Sequence, residues 1–187
     1  MILLRPARPA DAPALARTHV AVWRRTYRDL APQSAQDALD EARRLAFWTG
    51  ALGDPARPGP VLAAESGGAV IGFASGGFAS GGPATEAVFA GRAEVKHLYV
   101  DDAHARRGIG RRLLAALCAD LWAGGARGIG LGVVVGNDPA IAFYEAMGGR
   151  RHGRYTDPGP LWRSDNWLYV WDDPARLPTP PEGDGAA

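Results

Sequence analysis

The stretch "EVKHLYVDDAHARRGIGRRLLAALCADLWAGGARGIGLGVVV", residues 94–135, decides the fold. Its first part, "EVKHLYV" (94–100), alternates: Val95, His97 and Tyr99 fall on one face, Lys96, Leu98 and Val100 on the other. A period of two reads as a strand. Ile109, Leu113, Leu114, Leu117, Cys118 and Leu121 then form one apolar stripe at helical spacing, and Gly124 and Gly125 stop that helix. "GLGVVV" (130–135) is nearly continuously apolar, as a strand buried on both faces should be. The segment is a strand–helix–strand crossover.

It contains Gly-Ile-Gly twice, at 108–110 and 128–130. The first copy follows a strand and opens a helix, where the leading N–H groups have no intrahelical acceptor and the macrodipole is positive. Arg106, Arg107, Arg111 and Arg112 add charge, and Gly108 and Gly110 let a ligand approach the backbone, a combination suited to phosphate. The spacing alone also fits a plain helix start with solvated arginines. The second copy follows a helix end, where carbonyls repel anions, and reads as a C-cap and strand entry. A Walker motif is absent, and a dinucleotide fingerprint fails at Leu113, where it requires glycine.

Working outward, "ILLRPA" (2–7) is a short strand, and residues 10–27 form a helix with Asp11 as N-cap and Pro13 in the first turn. A second helix lies within 34–52, capped by Ser34. "VLAAE" and "AVIGFASG" read as a β-hairpin joined by "SGG". Residues 77–93 show no period and form a long loop. After 135, Asn137 or Asp138 caps a short helix ending at Gly148, and "RRHGRYT" and "NWLYVWD" close the fold as two strands. The order β-α-α-β-β-β-α-β-α-β-β predicts an α/β mixed sheet with helices on both faces. Residues 1–172 make one domain, and 173–187, rich in proline, a disordered tail.

The composition narrows the function. With 187 residues, 47% hydrophobic and 22% charged, the chain can bury a full core. A net charge of +1 provides no global field of the kind nucleic-acid or membrane-surface binders use. The single cysteine, Cys118, excludes a disulfide framework and cysteine zinc sites, and its apolar surroundings mark a buried thiol. The N-terminal apolar run is too short for a signal peptide, and no stretch is long enough to span a bilayer. A cytoplasmic protein that binds neither nucleic acid, membrane nor metal is expected.

"VKHLYVDDAHARRGIGRRLLAAL", followed by "NDPAIAFYEAMGGR", closely resembles the GNAT superfamily of acetyl-CoA-dependent N-acetyltransferases. Residues 93–153 carry the resemblance; "HVAVWRRTY" and the hairpin add weaker support. It implies a six- or seven-stranded sheet, splayed between the strands holding Leu98 and Val133, with acetyl-CoA in the opening. The backbone of Leu98, Tyr99 and Val100 would bind the acetyl and pantetheine arm. The amides of Arg106, Arg107, Gly108, Ile109, Gly110, Arg111 and Arg112 would wrap the pyrophosphate. Asn137, Ala140 and Phe143 would line the opposite wall, with Tyr144 near the thioester sulfur. Ala105 stands where the family usually has Gln or Arg, and Arg106 or Arg107 would compensate.

The implied reaction is direct attack of a primary amine on the thioester. With an amine pKa near ~10, about one molecule in a thousand is free base at pH 7, so a base is useful. Glu94 resembles the family's frequent base position, with an ordinary strand-end carboxylate as the alternative; Glu86 is a second candidate. Tyr144 could protonate the departing thiolate, or simply be a core aromatic. His97 reads as a packed strand histidine and His104 as a solvated loop residue. Trp23, Tyr27, Trp48, Trp162 and Trp167 could wall an acceptor pocket, while Glu86, Glu94 and Asp101 could attract a cation. Nothing selects among small amines, amino acids, antibiotic amines and protein N-termini as acceptor. A non-catalytic acyl-CoA sensor is the alternative function, and the resemblance makes a homodimer reasonable.

Overall fold

The structure, a computed structural model, describes residues 1–57, 59–78 and 87–176. Its seven strands are β1 (Ile2–Pro6), β2 (Val61–Ser66), β3 (Ala69–Phe78), β4 (Ala93–Val100), β5 (Ile129–Val134), β6 (Arg150–Asp157) and β7 (Ser164–Trp171). The helices are α1 (Ala12–Thr26), α2 (Gln33–Ala38), α3 (Glu41–Gly53), α4 (Ile109–Ala123) and α5 (Asp138–Ala146). The strands form one mixed sheet in the order β1-β2-β3-β4-β5-β7-β6. Every neighbouring pair is antiparallel except β4 and β5.

That parallel pair is short. Ala93 pairs with Ile129 and Glu94 with Gly130, and there the register ends. From Val95 onward β4 has no partner on that side, so the sheet splays open in the middle, as expected from the sequence. Helices cover both faces. On one, Leu113, Leu114 and Leu117 of α4 pack on Ile71, Val95 and Leu131. On the other, Leu15 and Ala16 of α1 and Trp48 and Leu52 of α3 pack on Val61, Ala63 and Phe73. Odd and even residues of β2 divide between the two cores, as strand geometry requires. Among the described residues, no helix is long and apolar enough to cross a membrane.

The structure corrects four sequence expectations. Asp11 precedes α1 but makes no side-chain cap to it. Its carboxylate instead accepts from the Arg8 N–H at 2.7 Å and pairs with the Arg5 guanidinium at 2.7 Å. The single helix over 34–52 is two, because Leu39 adopts an extended conformation and Asp40, not Ser34, caps α3 by accepting from the Arg43 N–H at 2.7 Å. The strict alternation of β4 fails: Ser75 pairs with His97 but Gly76 pairs with Val95, so Lys96 is a bulge. The extra residue moves Val95 into the core beside α4 together with Leu98 and Val100, while Tyr99 packs on the opposite face. The long loop is shorter than expected, since β3 runs to Phe78 and β4 begins at Ala93. Glu86 lies outside the described residues, as does the expected disordered tail from 177 onward; before it, Pro174–Arg176 forms a 3-10 turn.

Candidate active site

The splay creates a cavity of about 650 Å³ between β4, β5, α5 and the end of α1. The sequence placed Leu98, Tyr99, Val100, Gly110, Asn137, Ala140, Phe143 and Tyr144 around one ligand, and all of them line this space. Asn137 is buried and holds the wall in place, its side-chain oxygen accepting from the Ala140 N–H at 3.4 Å as the N-cap of α5. Phe143 and Tyr144 pack edge to face, 5.1 Å between ring centres. Burial raises the Tyr144 phenol above its ordinary range, so its proton is retained throughout neutral pH.

The Gly-Ile-Gly at 108–110 reaches the cavity through Gly110. Gly108 is the N-cap of α4 with φ +74°, a left-handed conformation that glycine adopts without strain. Arg106 is also left-handed, at φ +58°. Residues 105–108 are exposed, and the N–H groups of Ile109, Gly110 and Arg111 precede the first helical hydrogen bond, which runs from Arg112 N–H to Gly108 C=O at 3.0 Å. Two of the predicted cradle residues are committed elsewhere. Ile109 puts its side chain into the core, 1% exposed, and can offer only its amide. Arg112 uses its N–H in the helix and donates its guanidinium to the Ile2 carbonyl at 3.1 Å, so its side chain braces β1. Arg106, Arg107 and Arg111 are exposed. At Ala105 the N–H bonds to the Asp102 carbonyl at 3.0 Å, so the turn is closed by backbone without a longer side chain. The second Gly-Ile-Gly starts β5, away from any free helix N-terminus.

Sequence reasoning missed that α1 reaches this cavity. Arg25, Asp29 and Leu30 line it, and Arg25 forms an ion pair with Asp102 in the turn before the cradle. The only signal was a basic last helical turn, which helix dipoles favour anyway.

A second cavity, about 230 Å³, lies on the other side of β4 and shares Tyr27, Val95, Lys96, His97, Tyr99 and Gly132 with the first. Glu94 faces it, at the last paired position before the strands part. Burial pushes the Glu94 carboxyl above its ordinary range; Asp157 adds to the rise and Lys96 opposes it. Tyr155 stands beside them, its hydroxyl close over Gly132: a Cβ on Gly132 would lie 2.1 Å from that oxygen. Of the five aromatics considered for this pocket, Trp23, Tyr27 and Trp162 line it as one cluster, with ring centres 5.1–5.4 Å apart. Trp48 is core, 1% exposed, and Trp167 instead carries the Arg151 guanidinium 4.7 Å over its ring.

His97 is a packed histidine, as expected, but it is not isolated. Its Nδ1 shares a 2.7 Å hydrogen bond with the Ser75 hydroxyl, and its ring centre is 5.0 Å from that of His19. Burial lowers the His97 imidazole to about 3 and that of His19 to about 2, so both are neutral at physiological pH. Cys118 is fully buried, its thiol pushed up to about 12 by burial, which leaves it inert. His19, Arg44, Tyr155 and Asp157 gave no sequence signal as site residues.

A sheet opened beside a helix N-terminus, with a long cleft on one side of β4 and a polar pocket on the other, suits an enzyme that joins two substrates across a strand. Residues 21–149 match the model of the acetyltransferase (GNAT) family, and the chain belongs to that family. It is 28% identical over 151 residues to "Uncharacterized N-acetyltransferase YuaI" of Bacillus subtilis (strain 168), covering 81% of this chain and 82% of that protein. Its fold matches that of the ribosomal-protein-alanine N-acetyltransferase from Brucella melitensis with a TM-score of 0.68 and 27% identity, over 90% of this chain and 98% of the other. It matches Salmonella typhimurium yncA, solved with acetyl-CoA, with a TM-score of 0.68 and 22% identity, over 92% and 95% of the two chains.

Proposed function

We propose that the protein transfers the acetyl group of acetyl-CoA to a primary amine by direct attack, with acetyl-CoA in the larger cavity and the amine entering from the smaller one. One observation carries this reading: β4 loses its neighbour after Glu94, and the freed edge runs between the two cavities. An unpaired strand edge presents N–H and C=O groups in a row, which suits an extended amide-bearing arm laid along it.

The residues fit acetyl-CoA. The N–H groups of Ile109, Gly110 and Arg111 at the positive end of α4 would hold pyrophosphate, with Arg106, Arg107 and Arg111 as counter-charge. The backbone of Leu98–Val100 would orient the thioester and stabilise the oxyanion through its N–H groups. Glu94 would take the proton of the attacking amine. Its raised pKa makes it a stronger base than an exposed glutamate. Tyr144 would give its phenolic proton to the departing thiolate, and burial keeps that proton in place until it is needed.

Calorimetric titration with acetyl-CoA, followed by thiol release against a panel of amines, tests the reading. Binding with amine-dependent thiol release is expected. Binding without release for any amine would favour a sensor, and absence of binding would remove the assignment.

A further inference from the structure

The smaller cavity is lined by charges of both signs, and Arg44 stands apart from the acidic group. Glu94, Asp157 and Tyr155 form one group: burial pushes the Tyr155 phenol upward, and Asp157 and Glu94 each add to the rise. Arg44, from α3, lines the same cavity but belongs to another group: its charge acts on His19, His97 and Tyr99. Glu94 responds instead to Lys96 and Asp157. Along β4, three to five residues separate Glu94 from His97 and Tyr99, roughly 10–15 Å at strand rise.

Arg44 is half-buried, and among the described residues no side chain or carbonyl pairs with its guanidinium. Its neighbour Arg43 takes the Asp40 carboxylate and the Ala38 carbonyl. Arg44 leans on the Phe47 ring, 5.8 Å to the centroid, and burial lowers its pKa. Asp40 acts on Arg44 only through space, and a half-buried guanidinium without a direct carboxylate partner presents a planar fork shaped for one. An independent observation points the same way. His19 is 2% exposed, lines the same cavity, and its Nδ1 has no hydrogen-bond partner. Neutral imidazole with hydrogen on Nδ1 can donate to an anion beside Arg44.

We propose that Arg44, with His19, is a carboxylate subsite, and that the acceptor is a free α-amino acid. In an α-amino acid the amine sits one carbon from the carboxylate. A carboxylate at Arg44 therefore delivers the amine next to His97 and Tyr99, at the point where β4 separates the two cavities. Glu94 and Asp157 lie further along the same cavity, so the proton of the amine would reach Glu94 through water. Trp23, Tyr27 and Trp162 offer an apolar wall for the side chain. The proposal rests on the acetyl-transfer reading and narrows it: a protein N-terminus, whose first carboxyl is tied up in a peptide bond, would leave Arg44 without its partner.

The test compares matched sets under saturating acetyl-CoA: the proteinogenic L-amino acids, their α-carboxamides, and the corresponding amines lacking the carboxyl group. Thiol release is the readout. At least one amino acid is expected to exceed both of its counterparts in kcat/KM by about ten-fold or more. Arg44→Met should raise the KM for that acid by at least about ten-fold and bring the acid-to-amide ratio towards one, with Arg44→Lys recovering part of the ratio. Acetyl-CoA affinity, measured by calorimetry on each variant, reports that the fold and the other cavity are intact. Equal or better use of the carboxamides or amines overturns the proposal, as does failure to acetylate any amino acid; in both cases acetyl-CoA binding still stands as support for the transferase reading. Absence of acetyl-CoA binding by the wild-type protein removes that reading, and this proposal with it.

Discussion

Replacing Glu94 with Gln removes one carboxylate while keeping the shape of the side chain. If Glu94 is the base, the loss follows from proton arithmetic. An amine of pKa near ~10 is about one-thousandth free base at pH 7, and a positioned base contributes about 10²–10⁴-fold. Without the base, turnover depends on amine that arrives already neutral. The expected fall in kcat/KM at pH 7 is therefore about 10²–10³-fold, and the deficit should shrink by about ten-fold per pH unit as the amine deprotonates unaided.

The pH profile separates this from a structural defect. In the wild type, Glu94 must be ionised to accept a proton, so activity falls on the acid side of its pKa. Burial and Asp157 raise that pKa, placing the limb above the ordinary glutamate range. In Glu94→Gln the limb should disappear. Stability should move the other way. A carboxyl whose folded pKa is raised favours the native state at low pH, and that contribution is lost as pH rises through the folded pKa. Above it the native state holds a buried charge it disfavours, so glutamine there should leave Tm unchanged or higher. The assay is thiol release against pH at saturating acetyl-CoA, with thermal melts in parallel. A variant within about three-fold of wild type at pH 7 that keeps the acid limb would refute the assignment.

Other consequences follow from single positions. Tyr144→Phe should lower kcat by about 10²-fold with the KM for acetyl-CoA nearly unchanged; unaltered turnover at saturation would remove Tyr144 as the acid. Gly108→Val should weaken acetyl-CoA binding by at least about ten-fold, because a β-branched residue resists positive φ. A Cβ at Gly108 meets nothing within 4 Å, so the effect would come from the backbone rather than a clash. Calorimetry showing wild-type affinity would dismiss the cradle. Leu117→Ala empties a position that is 0% exposed under the sheet. It should lose about 2–5 kcal/mol and roughly 5–15 °C in Tm, read by thermal denaturation, without a specific loss of acetyl-CoA affinity.

The cofactor side of the site was legible because it is built from local signals. The first Gly-Ile-Gly follows a strand and opens a helix, and Asn137 precedes a proline in the next helix start; both are contained in a few consecutive residues. The break between α2 and α3 was legible too, in Asp40 ahead of Glu41, but the apolar spacing across 34–52 masked it. The acceptor side was legible only in part: Glu94, Trp23, Tyr27 and Trp162 were expected there, but Arg44, His19 and Asp157 come from α3, α1 and β6, and no spacing rule connects them. Arg44 looks like any helix-surface arginine until the fold turns it over the cavity and gives Asp40 to its neighbour.

The bulge at Lys96 was invisible for a different reason, and it matters most. In an unbroken β4, Glu94 would share its face with Lys96, Leu98 and Val100, turned away from His97 and Tyr99. One unpaired residue reverses the parity beyond it. Ala93, Val95, Leu98 and Val100 now face α4, while Glu94, His97 and Tyr99 face the smaller cavity. The same irregularity lies two residues beyond Glu94, where pairing with β5 ends. A single inserted residue thus sits at the opening of the sheet and brings the proposed base onto the side from which the amine arrives. A register in which β4 pairs continuously with β3 would put Glu94 and Lys96 on the apolar face with Leu98 and Val100 and separate the base from the acceptor pocket.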